Sequence, residues 1–361
     1  MTFAPAPEYH VFPTRERPLT PYEAVERATR ETVGLVRDVA PQAVVADILT
    51  LAPALAGELA GVPVATLIPH TDPRMPPGAP PYSCGARIPR TGAGRALWRR
   101  ADPLLRRGLA LGRTELNETR ARLGLPPLER FHGGISEALS LVATFPQLEY
   151  PRAWPPGAHV VGPLLWEPPG SDVPLPPGDE PLVLLAPSTS QDAEHRLLRA
   201  ALAGLADLPV RVLASSNRRP PDPPFTVPPN ARLVDWVSYG RTMPACDLVV
   251  CHGGHGTVAR ALASGCAVLI VPAAGDMNES AARVEWAGVG VRLPRRMVWP
   301  RAIALAVGRA LARPQLRARA QELRAWAAAN DGAQRAADHV EAFVSGGRSG
   351  SSAPSATAAS R

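Results

Sequence analysis

The feature that most constrains this chain is a repeating alternation in its second half. Short Val-, Leu- and Ile-rich runs at 181–187, 210–215, 231–236, 247–252, 267–272 and 290–293 are separated or followed by longer stretches of helical character at 192–204, 256–264, 277–287, 299–312, 314–328 and 331–344. Apolar runs of four to eight residues without polar alternation are strands buried on both faces, and the intervening helices cover those faces. The pattern predicts a doubly wound α/β domain.

The first half repeats the pattern more sparsely. Strands are predicted at 43–48, 62–67, 140–145 and 159–163, and helices at 21–39, 51–60 and 92–123, with a Pro/Gly-rich loop at 69–91. The segment LWEPPGSDVPLPPGDEP is a solvated, proline-stiffened connection. The expected division is therefore an N-terminal domain at 1–164, a linker at 165–180, a C-terminal domain at 181–345, and a disordered Gly/Ser/Ala tail at 346–361. A chain of 361 residues accommodates two such domains.

Composition narrows the function classes. All 39 basic residues are arginine, and the formal net charge is +7. The arginines are scattered along helices without interleaved aromatics, and aromatic content is only 5%, so a nucleic-acid partner is not expected. No apolar run has the ~20 residues of a membrane span, and the first twenty residues lack a signal-peptide core, so a cytoplasmic protein is expected. Cys84, Cys246, Cys251 and Cys266 fit no disulfide framework or four-ligand zinc spacing, and no metal is expected.

The densest chemical signal is His252-Gly253-Gly254-His255-Gly256-Thr257, where the strand ending at Cys251 meets a helix. Glycines permit close backbone approach, and the free N–H groups of a helix start attract an anion such as a phosphate or diphosphate. One strand later, the loop 273–279 carries Asp276, which is suited either to sugar hydroxyls or to capping the following helix. Strand C-termini in open parallel sheets share one ligand crevice, so both loops face the same cleft.

The stretch HGGHGTVARALASGCAVLIVPAAGDMNESAARVEWAGVGVRL resembles the nucleotide-sugar motif of glycosyltransferase family 1, the UDP-glycosyltransferase and antibiotic glycosyltransferase group. The resemblance implies a GT-B fold, two Rossmann-like domains facing a cleft. It also implies an inverting, metal-independent hexosyl transfer from a UDP- or dTDP-sugar to a hydroxyl of a natural-product or lipid acceptor, with no cofactor. Position by position it implies that Trp236 stacks on the nucleobase and the Val237 backbone bonds its edge. His252, Gly254, His255, Gly256 and Thr257 would hold the diphosphate with Ser188 and Thr189, while Asp276 and Met277 would meet the sugar. Arg260 stands where many relatives carry a ribose-binding glutamate, and Met277 where they carry glutamine. Relatives open with a strand, a Gly-His turn and a helix whose histidine is the catalytic base, and the opening MTFAPAPEYHVFPTRERPL does not match it. On that resemblance the N-terminal domain reads as incomplete. The catalytic base is left unassigned: His70, directly after a strand, is a candidate for a substitute base, an acceptor contact or a structural histidine, and Asp47 either orients a histidine or caps a helix. The alternative to an active transferase is a catalytically impaired nucleotide-sugar-binding protein.

Overall fold

The computed structural model describes residues 23–349 except 189–191, 193, 225 and 274. Ten strands and eleven α-helices alternate along them. In chain order the strands are β1 Val44–Asp47, β2 Val64–Ile68, β3 Ser140–Val142, β4 Ala158–Val160, β5 Leu182–Ala186, β6 Arg211–Ser215, β7 Ala231–Val234, β8 Leu248–Cys251, β9 Ala267–Ile270 and β10 Gly290–Arg292. The helices are α1 Glu23–Val39, α2 Leu51–Leu59, α3 Gly92–Arg99, α4 Asp102–Arg122, α5 Arg196–Leu205, α6 Tyr239–Thr242, α7 His255–Ala263, α8 Asp276–Ala287, α9 Pro300–Leu311, α10 Pro314–Ala329 and α11 Gly332–Ser349.

Two parallel sheets result. The C-terminal sheet is ordered β10-β9-β8-β5-β6-β7. Its order reverses between β5 and β8, and such a reversal leaves a crevice outside the strand C-termini. β5, β8 and β9 are buried at every position, as their unbroken apolar sequence requires. Two cores fill its faces. One, on the α7 and α8 side, includes Val258, Leu262, Ala281 and Val284, and the other, under α5 and α9, includes Leu198, Leu202, Ile303 and Val307. The N-terminal sheet is ordered β1-β2-β3-β4, four parallel strands in simple chain order among the described residues.

Four differences from the sequence expectations have local causes. The long helix expected at 92–123 is two, with Arg100 and Ala101 between them, because Pro103 lacks an N–H and sits at the start of α4. The helix expected from 192 starts at Arg196, because the Asp192 carboxylate accepts the N–H groups of Arg196 and Leu197 at 2.9 and 3.0 Å and holds the preceding residues off the helix axis. The last helix runs to Ser349, taking up the first residues assigned to the tail, while 350–361 lie outside the described residues. That helix also does not belong to the C-terminal domain in space. Ala336, Val340 and Phe343 of α11 pack on Ala65, Leu139, Leu141 and Val161 of the N-terminal sheet.

The domains also meet through buried charge. Arg283 on α8 is 1% exposed; it donates through Nε to Glu279 at 2.8 Å and through Nη1 to Glu149 at 2.8 Å and the Leu148 carbonyl at 3.0 Å. Its guanidinium lies over the Tyr150 ring, 4.3 Å from the centroid. Glu149 in turn accepts the Asp72 N–H at 2.8 Å, and Arg74 and Arg152 face the Asp72 carboxylate. Burial works against the charge on Arg283, and Glu149 and Glu279 outweigh it. Burial likewise pulls the Asp72 carboxyl upward, yet Arg74 and Arg152 hold it below the usual carboxylate range.

Candidate functional site

The crevice at the β5/β8 reversal gathers most of the motif. His252 follows β8 directly, Gly254 caps α7, and α7 begins at His255. In the first turn of a helix the N–H groups have no intrahelical acceptor, so those of His255, Gly256 and Thr257 face the crevice with the positive end of the helix. Gly253 is sterically required. Gly253 has φ +92°, and a Cβ there would lie 2.7 Å from Ile270 Cγ2 and 3.2 Å from the Met277 carbonyl oxygen. A Cβ on Gly254 would lie 2.5 Å from His252 Nε2. The imidazole therefore stands over a bare backbone, and the motif turn abuts the loop that carries Asp276 and Met277. Gly256 faces open space.

His252 and Ser188 line one small cavity with Asp192 and Arg295, so the loops after β5 and β8 converge as expected. Thr189 lies outside the described residues. Burial holds His252 below the usual imidazole range, opposed by the Ala186 carbonyl and by Asp276, so at neutral pH it presents a neutral ring with a single N–H. The Asp192 carboxylate takes the Arg196 and Leu197 N–H groups at the start of α5.

Asp276 is the first residue of α8, while Gly275 is its N-cap and no side chain closes the cap. The capping role considered for Asp276 is thus not the one observed. Its carboxylate stands at the helix start, on the same side as the motif turn.

Trp236 follows β7, the far edge strand, and is 38% exposed, whereas the Val237 side chain is buried. The Arg218 guanidinium lies over the indole, 4.6 Å from its centroid. Three strand spacings separate β7 from β8 in the sheet, roughly 14 Å.

One motif residue is placed differently. The side chain of His255 leaves the phosphate turn and crosses to the N-terminal domain, where Nε2–H donates to the Ala143 carbonyl at 3.2 Å. Burial, reinforced by His70, pushes it down to about 4, so this ring stays neutral and joins the two domains. Only its backbone N–H remains with the turn.

His70 stands at the C-terminal end of β2, across the cleft from α7. Its Nδ1–H donates to the Thr71 carbonyl at 2.7 Å, which fixes the tautomer and leaves the Nε2 lone pair as the basic atom. The Tyr82 hydroxyl is 3.2 Å from the same Nδ1. Burial raises the Tyr82 phenol well above its ordinary value, and the Asp276 and Glu279 charges add to the rise, so Tyr82 keeps its proton beside the sugar loop. The Asp47 carboxylate accepts the Leu49 N–H at 2.7 Å, a turn contact ahead of α2, and makes no hydrogen bond to a histidine among the described residues.

Four contributors escaped the sequence reading. Tyr82 and Gly85 belong to the loop 69–91, and Gly85 presses on Asn278 so closely that a Cβ would lie 2.8 Å from Asn278 Cβ. The Tyr239 hydroxyl lies against Asn217 and Thr257. Glu167 leaves the linker and enters the C-terminal domain. No motif marks these positions, because their partners lie on other elements and not among their sequence neighbours.

A cleft between two parallel α/β sheets, with an anion-seeking turn at one strand-order reversal, is the arrangement of GT-B proteins. The solved glycosyltransferase of kitacinnamycin has this fold, with a TM-score of 0.71 at 20% identity, covering 89% of this chain and 80% of that one. Residues 199–343 match the sequence model of the erythromycin biosynthesis protein CIII-like C-terminal domain. The chain is 33% identical over 244 residues to the 4'-demethylrebeccamycin synthase of Lentzea aerocolonigenes, covering 64% of this chain and 57% of that relative. It is 30% identical over 299 residues to the PGL/p-HBAD biosynthesis rhamnosyltransferase of Mycobacterium bovis, covering 79% of this chain and 64% of that relative. These matches make the chain a relative of antibiotic-type glycosyltransferases, with residues 199–343 similar to the CIII-like C-terminal domain. The matched region spans about three fifths of the length of these curated relatives.

Proposed function

We propose that this protein binds a uridine or thymidine diphosphate sugar and transfers the hexose, with inversion and without a metal ion, to a hydroxyl of a natural-product or lipid acceptor. The observation that carries the reading is the α7 start, where free N–H groups and a neutral His252 converge on one point beside Asp276. Trp236 and the Val237 backbone hold the base, Gly254 to Thr257 with His252 and Ser188 hold the diphosphate, and Asp276 and the Met277 backbone border the sugar.

In the reaction, His70 Nε2 takes the acceptor proton as the acceptor oxygen attacks the anomeric carbon. The bond from that carbon to the diphosphate oxygen breaks on the opposite face, and the α7 N–H groups receive the charge that develops there. Tyr82 and the Thr71 carbonyl hold His70 in orientation.

Calorimetric titration with UDP and dTDP, followed by transfer assays on a panel of hydroxylated aglycones, tests the proposal. Binding is expected for at least one nucleotide, with a loss of roughly ten-fold in His252→Ala. Failure of the folded protein to bind either nucleotide refutes the reading. Binding with no transfer to any aglycone, and no effect of His70→Gln on slow donor hydrolysis, favours a nucleotide-sugar-binding protein.

A further inference from the structure

The linker packs against the C-terminal domain through Glu167. Glu167 lies in the proline-rich segment 165–180, ahead of the 199–343 region that matches the C-terminal domain family. Its carboxylate accepts the Ser238 hydroxyl proton on Oε1 and the Gly240 N–H on Oε2 at 2.9 Å. Arg260 Nε, on the second turn of α7, is 3.6 Å from Oε2. The linker lies flat at this point, since a Cβ on Gly170 would lie 2.9 Å from Ser238 Cβ.

These partners define where the carboxylate is. Ser238 and Gly240 are two and four residues beyond Trp236, and Arg260 is one turn beyond Thr257. Segment 236–240 thus forms the wall between the base platform and the diphosphate turn. In any nucleoside diphosphate the pentose lies between base and diphosphate by covalent connectivity, so this wall borders the pentose. A carboxylate oxygen has two acceptor sites, and Oε1 uses one of them on Ser238, while Oε2 is occupied by Gly240 and Arg260. Both Glu167 and Arg260 remain partly open to solvent, at 27% and 19% side-chain exposure, so the free site is reachable.

We infer that Glu167 is a nucleoside-binding residue delivered by the linker, and that Oε1 accepts a hydrogen bond from a pentose hydroxyl of the donor. Arg260, 3.6 Å from Oε2, holds the carboxylate turned toward the wall. The inference rests on the donor-site reading above and deepens it, because it gives the connection between the domains a role in donor selection.

The test is calorimetric titration of UDP, dTDP and inorganic pyrophosphate into the wild-type chain, Glu167→Gln and Glu167→Ala, with thermal melting of each. Expected is a loss of roughly ten-fold or more in affinity for the nucleotide that the wild type binds, with pyrophosphate affinity and melting temperature unchanged in Glu167→Gln. Unchanged nucleotide affinity in both variants overturns the inference. So does an equal loss for nucleotide and pyrophosphate, which would make Glu167 a support of the phosphate turn and not a pentose contact. If the wild type binds neither nucleotide, the donor-site reading itself has failed, and that result is distinct from the other two.

Discussion

Replacing Arg283 with alanine probes what holds the cleft together. The substitution removes three hydrogen bonds of 2.8 to 3.0 Å and leaves Glu149 and Glu279 facing the void, both almost fully buried. Arg152 lies 3.6 Å from Glu149 and offsets part of that charge; Arg283 is the cation within hydrogen-bonding distance of both carboxylates. Breaking one side of a buried ion pair costs about 3–5 kcal/mol, because the remaining charge is uncompensated. At ~2–4 °C per kcal/mol for units of 150–250 residues, the melting temperature should fall by roughly 6–20 °C. Because the network joins α8 to the loops after β2 and β3, the loss should also split one thermal transition into two, as each domain melts alone. Differential scanning calorimetry measures both effects. A control with Arg283→Met, Glu149→Gln and Glu279→Gln removes the charges together and should recover most of the stability. A melting temperature for Arg283→Ala within about 2 °C of wild type would refute the claim that this network supports the domain contact.

Three further outcomes follow from the site. Gly253→Ala forces a side chain into a φ of +92° and against Ile270, so it should cost about 2–4 kcal/mol and abolish nucleotide binding, as read by melting and titration. For His255 the folded-state value of about 4 lies below the unfolded ~6.5, so its contribution is present above pH 6.5 and is lost as the pH falls toward 4; between pH 7 and pH 5 this amounts to about 2 kcal/mol, and His255→Gln should flatten the melting-temperature profile over that window. Asp276→Asn should cost less than about 1 kcal/mol, since the carboxylate makes no cap bond, yet erase the preference for a nucleotide sugar over the bare nucleotide; equal weakening of both ligands would assign Asp276 another role.

What could be read from sequence was what depends on local pattern. Apolar runs such as LVLLA and LVVC lie on both-sides-buried strands because nothing but a parallel sheet core accommodates them. The glycine turn was legible for the same reason, since its geometry is set by adjacent residues. His255 shows the limit: its spacing within HGGHGT is that of a phosphate ligand, but its direction is decided by Ala143, 112 residues earlier. Glu167 shows another, for an acid among prolines reads as solvated until Ser238, Gly240 and Arg260 are brought around it. The break before Pro103 was visible in the residue itself and was overridden by the helical period on either side.

The return of α11 to the first sheet changes how the cleft can move. The chain passes from one lobe to the other at the linker and passes back beside Gly332, which sits against Pro163. The two crossings lie side by side and form one doubled joint, which restrains twisting between the lobes more than a single tether does. The same geometry means that neither lobe is a contiguous piece of sequence: cutting at the linker would strip Ala65, Leu141 and Val161 of their cover, and the severed first lobe would carry an adhesive face.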